Sequence, residues 1–162
     1  MEFSCRPLSD SIQCADRKKF DPDLYSFLRR RGKKTLQGGR MDILLVDDSR
    51  TMRMIVQRAI RQAGYRGLTV GEAENGAQAL EKLRGEKPKL VLSDWNMPEM
   101  SGIDFLRELR ATQNGVPFGF ITSETSKGIK EIAMECGATF VISKPFTPED
   151  VQRALSPILG GC

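Results

Sequence analysis

From residue 41 onward the chain alternates short, wholly apolar runs with longer stretches whose apolar positions recur every three or four residues. "ILLVD" (43–47) reads as a strand covered on both faces. "SRTMRMIVQRAIRQAG" (49–64) follows as a helix, with Ser49 as cap, Met52, Val56, Ala59, Ile60 and Ala63 on one face, and Gly64 as terminator. "LTVGEA" is a weaker strand and "NGAQALEKLRG" a short helix. "LVLSD" (90–94) is a third strand, and "GIDFLRELRATQ" a helix burying Phe105, Leu106 and Leu109. "PFGFITS" is a fourth strand that Gly119 weakens. "KGIKEIAMECG" is a helix with Ile129, Ile132, Ala133 and Cys136 turned inward, and "TFVISKP" a fifth strand. "TPEDVQRALSPIL" closes the pattern as a helix with Thr147 as cap and Pro148 in its first turn. Five strands alternating with five helices predict an α/β fold, a parallel sheet with helices on both faces.

Residues 1–40 lack this rhythm. "DPDLYSFLRR" fits a short helix capped by Asp21, and "RRRGKKTLQGGR" reads as a basic, glycine-broken linker. The segment is expected to be a flexible basic extension, with Met41 a possible native start and residues 160–162 a short tail. Charge sharpens the boundary. Of the net +4, residues 1–40 carry ten Lys/Arg against five Asp/Glu, whereas residues 41–162 carry fifteen against sixteen. A nearly neutral body offers no general electrostatic case for nucleic acid.

Composition narrows the chemistry further. With 40% hydrophobic and 28% charged residues the chain reads as soluble and globular. It has no apolar run of the roughly 18 residues that span a membrane. The N-terminus lacks the basic-then-apolar order of a signal peptide, so a cytoplasmic location is expected. Cys5, Cys14, Cys136 and Cys162 form no C-x-x-C pair, and Cys136 is expected to be buried on its helix. The chain has no histidine, which excludes Ser-His-Asp and Cys-His catalysis and histidine-ligated metal.

In a parallel sheet all carboxyl ends lie along one edge, where ligands bind. The first strand ends there in Asp47 and Asp48, the third in Asp94, the fourth in Thr122 and the fifth in Lys144–Pro145. Crowded carboxylates repel one another, and a divalent cation with oxygen ligands, Mg²⁺ above all, removes the conflict. A lysine and a threonine hydroxyl suit phosphoryl oxygens. A carboxylate can itself be the nucleophile that forms an aspartyl phosphate. Singly each residue has an ordinary reading as a cap, turn or loop residue. Together, at matching strand ends, they do not.

"LLVDDS", "LSDWNMPEMSG", "FITSE" and "SKPF" resemble the receiver domain of two-component response regulators, most closely the single-domain chemotaxis (CheY-like) type. The resemblance covers residues 41–159 and implies a flavodoxin-like sheet of order 2-1-3-4-5. It implies that Asp94 is the phospho-acceptor, with Lys144 and Thr122 contacting the phosphoryl group. Mg²⁺ would be held by Asp47 (through water), Asp48, Asp94 and the backbone carbonyl of Asn96. Asn96 and Glu124 would adjust access of the attacking water, and the Lys144–Pro145 bond would be cis. The implied partners are a histidine kinase as phosphodonor and a downstream protein such as a flagellar motor switch protein. No nucleic acid, membrane or second subunit is implied.

The resemblance also implies a signalling domain that phosphorylates and dephosphorylates itself, not an enzyme that turns over an external substrate. A phosphate sink or relay without direct output, a Mg²⁺-dependent phosphohydrolase and a pseudo-receiver scaffold are the competing readings. One position departs from the pattern. Where receivers commonly carry a switch aromatic, three residues before the lysine, this chain has Val141, with Phe140 one residue earlier on the opposite side of the strand.

Overall fold

The computed structural model describes residues 41–160 apart from Thr125 and Lys127. The extension read in residues 1–40 and the last two residues of the tail lie outside the described residues.

The strands are β1 (Ile43–Val46), β2 (Val70–Ala73), β3 (Leu90–Ser93), β4 (Phe118–Thr122) and β5 (Phe140–Ser143). The helices are α1 (Arg50–Gln62), α2 (Gly76–Gly85), α3 (Gly102–Ala111), α4 (Ile129–Glu135) and α5 (Pro148–Leu159). All strand pairings are parallel, in the order β2-β1-β3-β4-β5.

Alternation along each strand divides the core into two. Leu44, Val46, Val91, Phe118 and Phe120 meet Ala79 and Leu83 of α2, Phe105, Leu106 and Leu109 of α3, and Ala133 of α4. Ile43, Leu45, Leu90, Leu92, Ile121 and Ile142 face Val56, Ala59 and Ile60 of α1 and Val151 and Leu155 of α5. Both faces being covered, the central strands read as unbroken apolar runs.

The caps fall where the sequence placed them. Ser49 Oγ accepts the Met52 amide, and Thr147 and Asp150 close a reciprocal capping box at α5. Pro157 sits in the last turn of α5, where the missing N–H leaves the Arg153 carbonyl free; the Ser156 hydroxyl donates to that carbonyl at 3.4 Å.

Two expectations are corrected in α4. Ile132 is exposed, not turned inward, and Cys136 is half-buried at the edge of the core. The helix is only seven residues long and seats on the sheet through Ala133, its one fully buried residue. Ile132, about 100° around the helix from Ala133, is thereby carried outward.

Gly119 has a specific purpose. It stands opposite Phe140 in the β4–β5 register, and a Cβ there would lie 2.2 Å from the Phe140 ring. Phe140 therefore packs on the α1–α5 side, while Val141 packs on the other.

Candidate functional site

In the order β2-β1-β3-β4 the chain leaves β1 toward β2 and leaves β3 the other way toward β4, opening a crevice at the carboxyl ends of β1 and β3. Register decides what stands there. Val46 pairs with Ser93, so the next residues, Asp47 and Asp94, emerge side by side. The Asp94 amide donates to the Val46 carbonyl at 2.8 Å, which carries the pairing one step past the strand. On the far side Thr122 pairs with Ser143, and the Lys144 amide donates to the Thr122 carbonyl at 2.8 Å. Residues 47, 94, 122 and 144 thus reach one rim from four strands.

Lys144 holds the centre. Its Nζ lies 3.0 Å from Asp94 Oδ1 and 3.3 Å from Asp47 Oδ2. Asp94 Oδ2 accepts the Asn96 amide at 3.2 Å, and Asp47 Oδ1 accepts the Ser49 amide at 2.8 Å. Burial raises the Asp47 pKa above the usual carboxylate value, and the nearby Asp94 charge pushes the same way. The Ser49 amide and the Lys144 ammonium oppose the rise without cancelling it. Two carboxylates thus share one ammonium at this rim.

Asp48 directly follows Asp47 in the chain, and Asn96 stands two beyond Asp94. Asp48 is exposed beside Asp47, and Asn96 is exposed after Asp94. Thr122 is fully buried, and its Oγ1 accepts the Glu124 amide at 3.0 Å, leaving the hydroxyl proton to be donated. The Lys144–Pro145 peptide is cis. Val141 packs against the buried core beside Phe120, its partner in register. Trp95 follows Asp94 and lies on the Phe120 ring, centroids 4.9 Å apart.

Among the described residues no three Asp, Glu or Cys side chains are gathered as a ready metal-holding group. Lys144 instead bridges the two carboxylates. The donor set is nonetheless all oxygen, with an incompletely compensated carboxylate beneath it. That chemistry fits a hard cation keeping several of its waters.

Two neighbours escaped the sequence reading. Gly102 opens α3 directly against the loop, and a Cβ there would lie 2.1 Å from the Asp94 carbonyl oxygen. Arg53 is buried and donates to the Asp47 carbonyl at 2.6 Å. Its place in the pattern was the available signal: it precedes Val56 by three residues and Ile60 by seven, on the apolar stripe of α1.

Comparisons with known proteins agree with this fold. The response regulator receiver domain profile matches residues 43–156. Chemotaxis protein CheY1 of Helicobacter pylori is 39% identical over 123 residues, covering 74% of this chain and 98% of that protein. A chemotaxis protein CheY homolog of Campylobacter jejuni is 36% identical over 123 residues, covering 74% and 93%. The structure of the chemotaxis response regulator CheY4 of Vibrio cholerae superposes with a TM-score of 0.64 at 33% identity. It covers 75% of this chain and all of that one. Among the described residues no helix is long and apolar enough to cross a membrane. By sequence profile, by relatives matched over nearly their whole length and by strand order, the chain belongs to the response regulator receiver family, homologous to the chemotaxis CheY proteins.

Proposed function

We propose that this receiver accepts a phosphoryl group on Asp94 from a histidine kinase and uses it to switch the binding of a downstream protein. Receivers of the CheY type are signalling domains rather than classical enzymes, and they generally bind Mg²⁺. The observation that carries the proposal is the Lys144 ammonium shared between Asp94 and Asp47 at the switch point of the sheet.

In the reaction an Asp94 carboxylate oxygen attacks phosphorus, the bond from phosphorus to the donor's imidazole nitrogen breaks, and the imidazole leaves with the electron pair. Lys144 moves its bond from the carboxylate to a phosphoryl oxygen, and the Thr122 hydroxyl donates to another. Asp47, Asp48, Asp94 and the Asn96 carbonyl are the residues that would hold Mg²⁺, which when bound neutralises phosphoryl oxygens and relieves carboxylate repulsion. Dephosphorylation needs a water on the far side of phosphorus, and Asn96 and Glu124 are the residues we assign to adjusting its access. The chain lacks histidine, so the donor is another molecule.

The output surface is the face formed by α4, β5 and α5, and the chemotaxis relatives make a flagellar motor switch protein the first partner to try. We assign the protein to the cytoplasm as a monomer with no external substrate. A phosphate sink or relay is the second reading. Val141 favours it, because β5 carries no switch ring at that position. A long phosphate lifetime with phosphate-dependent partner binding separates the first reading from the second.

The test uses Trp95, the only tryptophan. Its fluorescence changes on adding Mg²⁺ and changes again with a small acyl phosphate. Asp94→Asn abolishes the second response and the gain of a phosphoryl mass. Mg²⁺-loaded protein that gains no such mass from acyl phosphate or from phosphorylated kinase would overturn the proposal.

A further inference from the structure

Arg53 is charged yet only 5% exposed. Its Nε donates to Glu72 Oε2 at 2.7 Å on β2, and a terminal nitrogen stands 3.5 Å from Glu74 Oε1. The other terminal nitrogen donates to the Asp47 carbonyl at 2.6 Å. Gln57, one turn further along α1, holds the second oxygen of Glu72. The ion pair holds the Glu72 carboxyl below its ordinary pKa, with the Arg53 hydrogen bond as the largest cause.

The reason for this frame lies in the end of the β1–β2 ladder. The Asp47 amide still makes a rung, donating to the Ala73 carbonyl at 3.1 Å. In a parallel pair the next rung would run from the amide of residue 75 to the Asp47 carbonyl. But β2 ends at Ala73, and Asn75 serves as the cap of α2. The guanidinium takes that vacant acceptor. With the Ser49 and Lys144 bonds to its carboxylate, every polar group of Asp47 then has a fixed partner.

We infer that Arg53 is the positioning residue of the acidic rim: it replaces the missing rung of the ladder, anchors the Asp47 carbonyl to Glu72, and so sets the direction in which the 47–48 pair faces a divalent cation. The inference rests on the Mg²⁺ reading proposed above. Arg53 does not touch the cation; it acts through the main chain of Asp47. A lysine cannot replace it, since one ammonium lacks the planar fork that spans carbonyl and carboxylate together.

The experiment titrates the full chain with Mg²⁺, following Trp95 fluorescence, and measures exchange of the Ser49 amide without metal. In Arg53→Lys the Mg²⁺ dissociation constant rises roughly tenfold or more, the range for residues that orient metal ligands, and Ser49 exchange accelerates. Leu109→Ala, in the last turns of α3 and away from the rim, lowers stability and leaves both readouts unchanged. Glu72→Gln, which removes the ion pair and keeps the site residues, shifts the dissociation constant in the same direction by less; it decides the matter should Arg53→Lys not fold. An Arg53→Lys or Glu72→Gln protein that binds Mg²⁺ within about twofold of the unchanged chain overturns the inference while leaving the site reading intact. An unchanged chain with no Mg²⁺ response overturns both.

Discussion

Lysine meets aspartate at two opposite edges of one sheet. At the amino edge Lys89 meets Asp42 at 2.9 Å, and at the carboxyl edge Lys144 meets Asp94 at 3.0 Å and Asp47 at 3.3 Å. The distances are alike. The environments are not: the Lys89 side chain is 48% exposed, that of Lys144 16%, and those of Asp47 and Asp94 5% and 11%. The outer pair has one charge of each sign, its ammonium half in water and its Asp42 carboxylate 14% exposed, and ties the starts of β1 and β3. The inner cluster sets two carboxylates against one ammonium in a half-dry crevice, and burial there drives Asp47 toward protonation. Ion-pair distance therefore says little about role. Burial and unequal charge mark the edge that is built to receive another cation and an anion.

Three substitutions probe the two edges. The largest effect is expected for Lys144→Ala, which leaves two poorly solvated carboxylates facing each other. Metal-free protein should lose about 3 kcal/mol in denaturant unfolding, with part restored by Mg²⁺. Equal stability of the variant with and without metal would count against the reading of the rim. Next comes Gly102→Ala. Its methyl must displace the Asp94 carbonyl, a backbone atom that cannot swing aside, so about 1–3 kcal/mol is lost and Mg²⁺ binding weakens with it. A variant with unaltered melting temperature and Mg²⁺ titration would show that the loop moves freely. The smallest effect belongs to Lys89→Ala at the outer edge, about 0–1 kcal/mol, with no change in the response of Trp95 to metal.

Much of this was legible in the chain. The apolar runs "ILLV" and "LVL" named central strands because two covered faces demand apolar residues at every position. Ser49 and Thr147 marked helix starts through orphan amides that a side-chain oxygen satisfies. What misled was short and peripheral. In α4 the spacing of Ile129, Ile132, Ala133 and Cys136 implied one buried stripe, but seven residues seated through a single alanine cannot bury a whole stripe. Gly119 read as a weakness of β4, whereas it clears the space for the Phe140 ring across the register. The partner of a glycine in a neighbouring strand is a fact of pairing, and no local pattern contains it.

The alternation of strands and helices, the caps, and the residues that end each strand follow from local sterics, hydrogen bonding and hydrophobic period, all of which are written along the chain. It took the folded sheet to lay Val46 against Ser93, to set Lys144 between Asp47 and Asp94, and to bring Arg53 to the ladder which β2 leaves unfinished. Those relations join residues up to 97 positions apart. They depend on register and helix placement, which the chain settles only by burying all of its apolar faces at once.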